Sequence, residues 1–179
     1  MSKKINEEAI LELFFADHKE HHVREVARLC RINPTTASKY LEQYAKERLL
    51  LRAEVRGDVV YSPNPENEEY RWRKRWWNLK RIRESGLPAY LDERYSYPAV
   101  VLFGSCAKGE NTPASDIDLL IISPVTEPPR LEPFGKKLGA EIQVFLHTKQ
   151  AFKRLAKGNP ELANNMLNGV ILAGYLEVF

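Results

Sequence analysis

Val100-Val101-Leu102-Phe103-Gly104-Ser105-Cys106-Ala107-Lys108-Gly109, followed by Ala114-Ser115-Asp116-Ile117-Asp118-Leu119-Leu120-Ile121-Ile122, is the stretch that decides the fold. Two continuous apolar runs bracket a Gly-Ser turn, so the stretch reads as a buried strand over 99–103, a helix of about two turns, and a second buried strand over 116–122. Residues two apart on a strand point to the same side, so Asp116 and Asp118 form a pair of carboxylates on one face. Such a pair suits Mg²⁺, which favours one or two carboxylates together with substrate phosphates. A Gly-Ser turn that opens a helix leaves backbone N–H groups free to hold a phosphate. Together the two features point to metal-assisted chemistry on a nucleoside triphosphate.

Working outward, Pro124, Pro128, Pro129 and Pro133 make residues 124–133 an irregular loop. A helix is expected around Phe134 to Leu138 and a strand from Glu141 to Leu146. Thr148 is a helix cap, Asn159-Pro160 opens a last helix to Leu167, and residues 169–174 close as a short strand or turn. The order of elements over 98–179 predicts a small mixed-sheet α/β domain.

This half resembles the minimal nucleotidyltransferases of the DNA polymerase β-like superfamily. The resemblance rests on Gly104-Ser105, Gly109 and Ser115-Asp116-Ile117-Asp118, with eleven residues from Ser105 to Asp116, and it runs from about residue 98 to 174. It implies that Gly104 and Ser105 hold the β- and γ-phosphates and that Asp116 and Asp118 bind Mg²⁺. Lys108 is placed to reach a phosphate or to stand as a solvated helix lysine; Ser115 either bonds near the metal or ends the preceding loop. Active members carry a further Asp on a later strand. Here that strand offers Glu141 and Gln143 on one face. The expectation is that Glu141 supplies the acid with its longer reach; otherwise the domain is impaired or senses nucleotide. His147 is the other base to consider, or a structural strand-end histidine.

The first half has a different pattern. Asn6 caps a helix through Ala16 that Asp17-His18 ends, Val23 to Leu29 form a second short helix, and Asn33-Pro34 opens a third that runs to about Glu47. Residues 49–55 and 59–61 flank Arg56-Gly57-Asp58 as a hairpin. Three helices and a hairpin in this order, over residues 6–62, resemble a winged helix-turn-helix. The resemblance implies DNA contact by Thr35, Thr36, Ser38 and Lys39 on the third helix and by Arg52 and Arg56 on the wing. The alternative is a protein–protein module, since residues 1–62 hold 11 bases against 10 acids.

Ser62-Pro63-Asn64-Pro65-Glu66-Asn67 reads as a linker into a basic helical connector over 63–97, with one helix ended by Gly86-Leu87-Pro88 and another short one from Ala89 to Tyr95. Its segment 71–83 contains seven Lys or Arg and no acid. Trp72, Trp76 and Leu79 are spaced as one apolar stripe, which predicts packing with the basic residues as solvated borders; the alternative is a nucleic-acid contact. Arg73, Arg75 and Lys80 are the phosphate-contact candidates of that second reading.

The whole chain, 179 residues at a formal charge of +3 and with 28% charged residues, has an ordinary globular composition. Its positive excess lies in residues 1–97. No apolar run approaches the roughly 20 residues of a membrane span. Two cysteines in separate segments give no disulfide or zinc pattern, so a reducing cytoplasmic setting is the default. The expected fold class is α+β, with a winged helix-turn-helix over 1–62, a basic connector over 63–97 and a nucleotidyltransferase-like domain over 98–179. The leading function is Mg²⁺-dependent transfer of a nucleoside monophosphate from an NTP to an acceptor that the sequence does not identify, with DNA as a partner. Its rivals are a DNA-binding transcriptional regulator with an impaired nucleotide-binding domain, and an antitoxin-like protein that pairs with a toxin. Oligomeric state is left open by the sequence.

Overall fold

A computed structural model describes residues 8–176. The Asn6 cap lies outside the described residues. The chain divides into two compact units, residues 1–74 and 75–179. Helix α4 (Glu68–Ser85) continues from one into the other.

In the first unit, α1 (Glu8–Asp17) leads through a two-residue strand β1 (His21–His22) to α2 (Val23–Cys30), α3 (Pro34–Lys46) and the strands β2 (Leu50–Val55) and β3 (Asp58–Pro63). At the start of α3 the Asn33 side chain accepts a hydrogen bond from the Thr35 N–H at 2.8 Å, and Pro34 occupies the first turn, where its missing N–H costs nothing. The hairpin turns on Arg56 and Gly57, both at positive φ (54° and 86°), with Val55 opposite Asp58. Two such central residues give the turn whose twist matches the strands. β1 adds to the free side of β3 (His21 opposite Tyr61), an addition too short to leave a sequence pattern. Ile10, Phe14, Val26, Ala37, Leu41, Leu50 and Tyr61 make the core.

One part of this unit is ionic. Lys74 is fully buried and pairs with His18 Nε2. His18 stands at φ 56°. Burial first, then the Lys74 charge, hold its imidazole below the ordinary 6.5, while Asp17 opposes them. A histidine kept neutral by the fold binds its proton more readily when unfolded. Stability is therefore full above about pH 6.5 and falls as pH drops from there to the lowered folded value. Urea midpoints measured across that window should decline in the wild type and decline less in His18→Asn, whose amide tolerates the left-handed backbone. Equal slopes would exclude His18 as the source.

The second unit contains the end of α4, then α5 (Leu87–Tyr95), β4 (Ala99–Phe103), α6 (Gly104–Lys108), β5 (Ile117–Ile122), α7 (Glu132–Leu138), β6 (Ile142–His147), α8 (Lys149–Gly158), α9 (Pro160–Leu167) and β7 (Val170–Ala173). The sheet order is β6-β5-β4-β7, with β5 and β6 parallel and the other pairs antiparallel. Alternate residues of the central strands feed two cores. Val100, Leu102, Leu119 and Ile121 pack with Ile82, Leu87, Leu91 and Leu138. Val101, Phe103, Leu120 and Ile122 pack with Phe152, Ala163 and Met166 on the other face. The continuous apolar runs follow from this double burial. Both units together give a mixed α+β architecture, and no helix among the described residues is long and apolar enough to cross a membrane.

The structure corrects three expectations. α6 is a single five-residue turn of helix, because Gly109 at φ 74° ends it. Asp116 and Glu141 each fall just before their strands rather than inside them. The third concerns α4, which buries the face opposite to the one its tryptophans predict. Trp72 and Trp76 are 57% and 69% exposed, while Tyr70, Lys74, Asn78 and Ile82 are buried. Hydropathy rates Lys74 and Asn78 as surface residues, yet each is sequestered with polar partners. Asn78 Nδ2 donates to the Cys106 carbonyl at 3.0 Å and to Asn111 Oδ1 at 2.7 Å.

Candidate active site

Residues at one end of the second sheet converge on the Gly104 turn. β4 ends at Phe103, which lies opposite Asp118 in the antiparallel register. The chain then turns at Gly104 with φ 71°, a region that favours glycine. A Cβ at Gly104 would stand 2.2 Å from Asp118 Oδ2. The hydrogen side chain of Gly104 therefore serves the Asp118 carboxylate as well as the turn, and it brings carboxylate and turn backbone together. Burial first, and then the neighbouring negative charge of Asp116, raise the Asp118 carboxyl above the ordinary carboxylate value. Two carboxylates that repel each other next to a helix-opening turn suit a divalent cation. The donor set fits Mg²⁺, for which two carboxylates plus phosphate oxygens and water suffice.

The loop is held from behind. Asn78 ties the Cys106 carbonyl to Asn111, and the Cys106 thiol lies 3.5 Å from the Asp116 carbonyl. Asn78 therefore positions both the Gly104 turn and the segment before the aspartates, a role that the sequence does not signal. A helix asparagine amid a basic run carries no local signal of such a role. Ser115 Oγ accepts from the Thr112 N–H at 2.9 Å, and Ser115 N–H donates to the Thr112 carbonyl at 3.0 Å, so Ser115 ends the loop. Gly109 is buried at the end of α6. Ser105 is half-buried beside Gly104. Lys108 is exposed and lines an open cleft of about 480 Å³ with Asn159, Glu161, Leu162 and Asn165.

The third acid is not gathered with the pair. The parallel register sets Gln143, not Glu141, beside Asp118. Glu141 gives its backbone carbonyl to the Ile117 N–H at 2.8 Å and leaves its side chain exposed. Among the described residues no three His, Cys, Asp or Glu side chains come close enough together to hold a metal ion. His147 pairs with Ile122 at the far end of β6, four residues from Gln143 and so about 13 Å along the strand, out of reach as a base. A roomier cleft of about 610 Å³ also lies at that far end, against Ala99, Ile122, Thr148 and Tyr175; its lining contains no carboxylate.

In the first unit, Thr35 and Lys39 are exposed on the early turns of α3, and Thr36 and Ser38 are half-buried. Arg52 Nε bonds Glu42 at 3.2 Å, and Glu42 also accepts from the Tyr61 hydroxyl at 2.5 Å. Arg56 stands exposed at the hairpin tip.

Residues 84–170 match the family model of the nucleotidyltransferase domain, which covers every residue of the Gly104 turn and the aspartate pair. A search of the curated proteins finds no match.

Proposed function

We propose that the nucleotidyltransferase domain of residues 84–170 moves a nucleoside monophosphate from an NTP to a hydroxyl acceptor and releases pyrophosphate. The observation that carries this reading is the Asp118 carboxylate lodged where a Gly104 side chain would stand. Gly104 and Ser105 hold the β- and γ-phosphates by their N–H groups and the Ser105 hydroxyl, with Lys108 close enough along α6 to add a charge. Asp116 and Asp118 would hold Mg²⁺, which when bound would neutralise the triphosphate and ease departure of pyrophosphate. The acceptor hydroxyl oxygen bonds to the α-phosphorus as the bond from that phosphorus to the bridging oxygen of the β-phosphate breaks; its proton passes to solvent and pyrophosphate leaves with the bridging oxygen. Asn78 keeps the loop fixed while this happens.

We further read the first unit as a winged helix that docks α3 in the major groove of duplex DNA. Thr35, Thr36, Ser38 and Lys39 then reach base edges and phosphates, and Arg52 and Arg56 follow the backbone from the wing. The capped, exposed first turn of α3 supports this. The Arg52–Glu42 pair is exposed on both sides, so exchange of Glu42 for a phosphate costs little.

A second reading is favoured by Gln143. With an amide beside Asp118, the acceptor hydroxyl lacks a carboxylate base, and the protein acts as a DNA-binding regulator or an antitoxin-like partner that binds nucleotide without turnover. Incubation of the full chain with each NTP, Mg²⁺ and candidate acceptors (protein, RNA or small hydroxyl compounds) decides between them. Pyrophosphate release supports transfer; Mg²⁺-dependent NTP binding with no release supports the second reading; absence of both overturns the site.

A further inference from the structure

We propose that the outer face of α4 is a binding strip for single-stranded nucleic acid. With 3.6 residues per turn, Trp72, Trp76, Lys80 and Arg83 fall on one side of the helix and span about 16 Å. Trp72 and Trp76 are the two most exposed tryptophans, at 57% and 69%. Arg73 borders them, in an exposed ion pair with Glu69 at 2.7 Å that a phosphate can replace at little cost. Between residues 70 and 83 the chain has no acid. The strip belongs to one helix, whose opposite face is held by Tyr70, Lys74, Asn78 and Ile82.

The composition identifies the occupant. Exposed indoles with guanidinium and ammonium groups around them match a polyanion that also offers flat apolar surfaces. Single strands present unstacked bases and phosphates together, whereas a duplex hides the base faces. Trp72 and Trp76 are offset by about 6 Å along the axis, close to twice the ~3.4 Å step of stacked bases, so one base fits between two rings or against either. A second copy of the same face would set arginine against arginine, so charge disfavours self-association. Trp77 is engaged elsewhere, since its ring lies under the Arg81 guanidinium at 4.5 Å and Arg81 also donates to the Leu138 carbonyl.

The test uses the full chain with labelled oligothymidine, oligouridine and a mixed-sequence duplex. Both single strands should bind at low salt, and their relative affinity separates DNA from RNA as the natural source. Trp72→Ala with Trp76→Ala should weaken single-strand binding by about 25-fold or more, at roughly fivefold or more per stacking ring. Trp→Phe at both positions should retain most of the affinity, and Trp77→Phe should change nothing. Lys80→Gln with Arg83→Gln should flatten the salt slope by about 1.4, or 0.7 per lost contact. Far-UV circular dichroism should match wild type throughout, since both indoles are exposed. Three results overturn the proposal: no single-strand binding at low salt, undiminished binding by the double alanine variant, or a wild-type dimer that the double alanine variant disrupts.

Discussion

Asp116→Asn and Asp118→Asn are each expected to lower Mg²⁺-dependent NTP affinity by at least about 100-fold, beyond the 10- to 100-fold typical of losing a group that merely orients a metal ligand. Both substitutions keep the side-chain shape, so the fold should persist. Stability supplies an independent reading. Because the fold raises the Asp118 carboxyl, ionised Asp118 costs stability at neutral pH when no cation is bound; that cost appears as pH rises through the ordinary carboxylate value near 3.8. Asp118→Asn removes the charge, so its Tm without Mg²⁺ should equal or exceed that of the wild type. Adding Mg²⁺ and NTP should raise the wild-type Tm and leave the variant unmoved. Unchanged Mg²⁺-dependent affinity in both variants would sink the metal assignment.

The second large effect is a gain. Gln143 lies directly beside Asp118 in the β5–β6 register. Gln143→Asp should place a third carboxylate there and raise turnover by about 10²- to 10⁴-fold, the usual worth of a positioned general base. Glu141→Gln should leave turnover within about twofold of wild type, because the Glu141 side chain is exposed and apart from the pair. Pyrophosphate release under identical Mg²⁺ and NTP reads both. A large loss in Glu141→Gln with no gain in Gln143→Asp would return the acid role to Glu141.

Local sequence signals end at this third carboxylate. The Gly104 turn and the aspartate pair were legible because two buried strands must be apolar throughout, so Gly-Ser and Asp-x-Asp stand out against them. The helix starts at Asn33, Thr148 and Asn159 were legible for a related reason, since each cap is made within three residues. The contest between Glu141 and Gln143 is different. Both share a face, and only the pairing of two strands, with α7 and its loop between them, decides which meets Asp118. Asn78 was illegible because its partners, Cys106 and Asn111, are 28 and 33 residues away. β1 is two residues long and owes its existence to the free edge of β3.

The buried polar groups of α4 have a consequence for its rotation about its own axis. Leu79 already packs against the core of the second unit, but by apolar content alone the helix has a competing solution with Trp72 and Trp76 turned inward as well. Lys74 and Asn78 exclude it, because half a turn of rotation would strip their partners and press the basic stripe into a core. Polar residues thus act as a rotational detent, and the indoles stay outside at the cost of a more apolar interior. Lys74→Met with Asn78→Leu would remove the detent and leave two apolar faces of similar merit. The helix would then sample more than one orientation, and the signature would be line broadening of its indole N–H resonances rather than a loss of helix content.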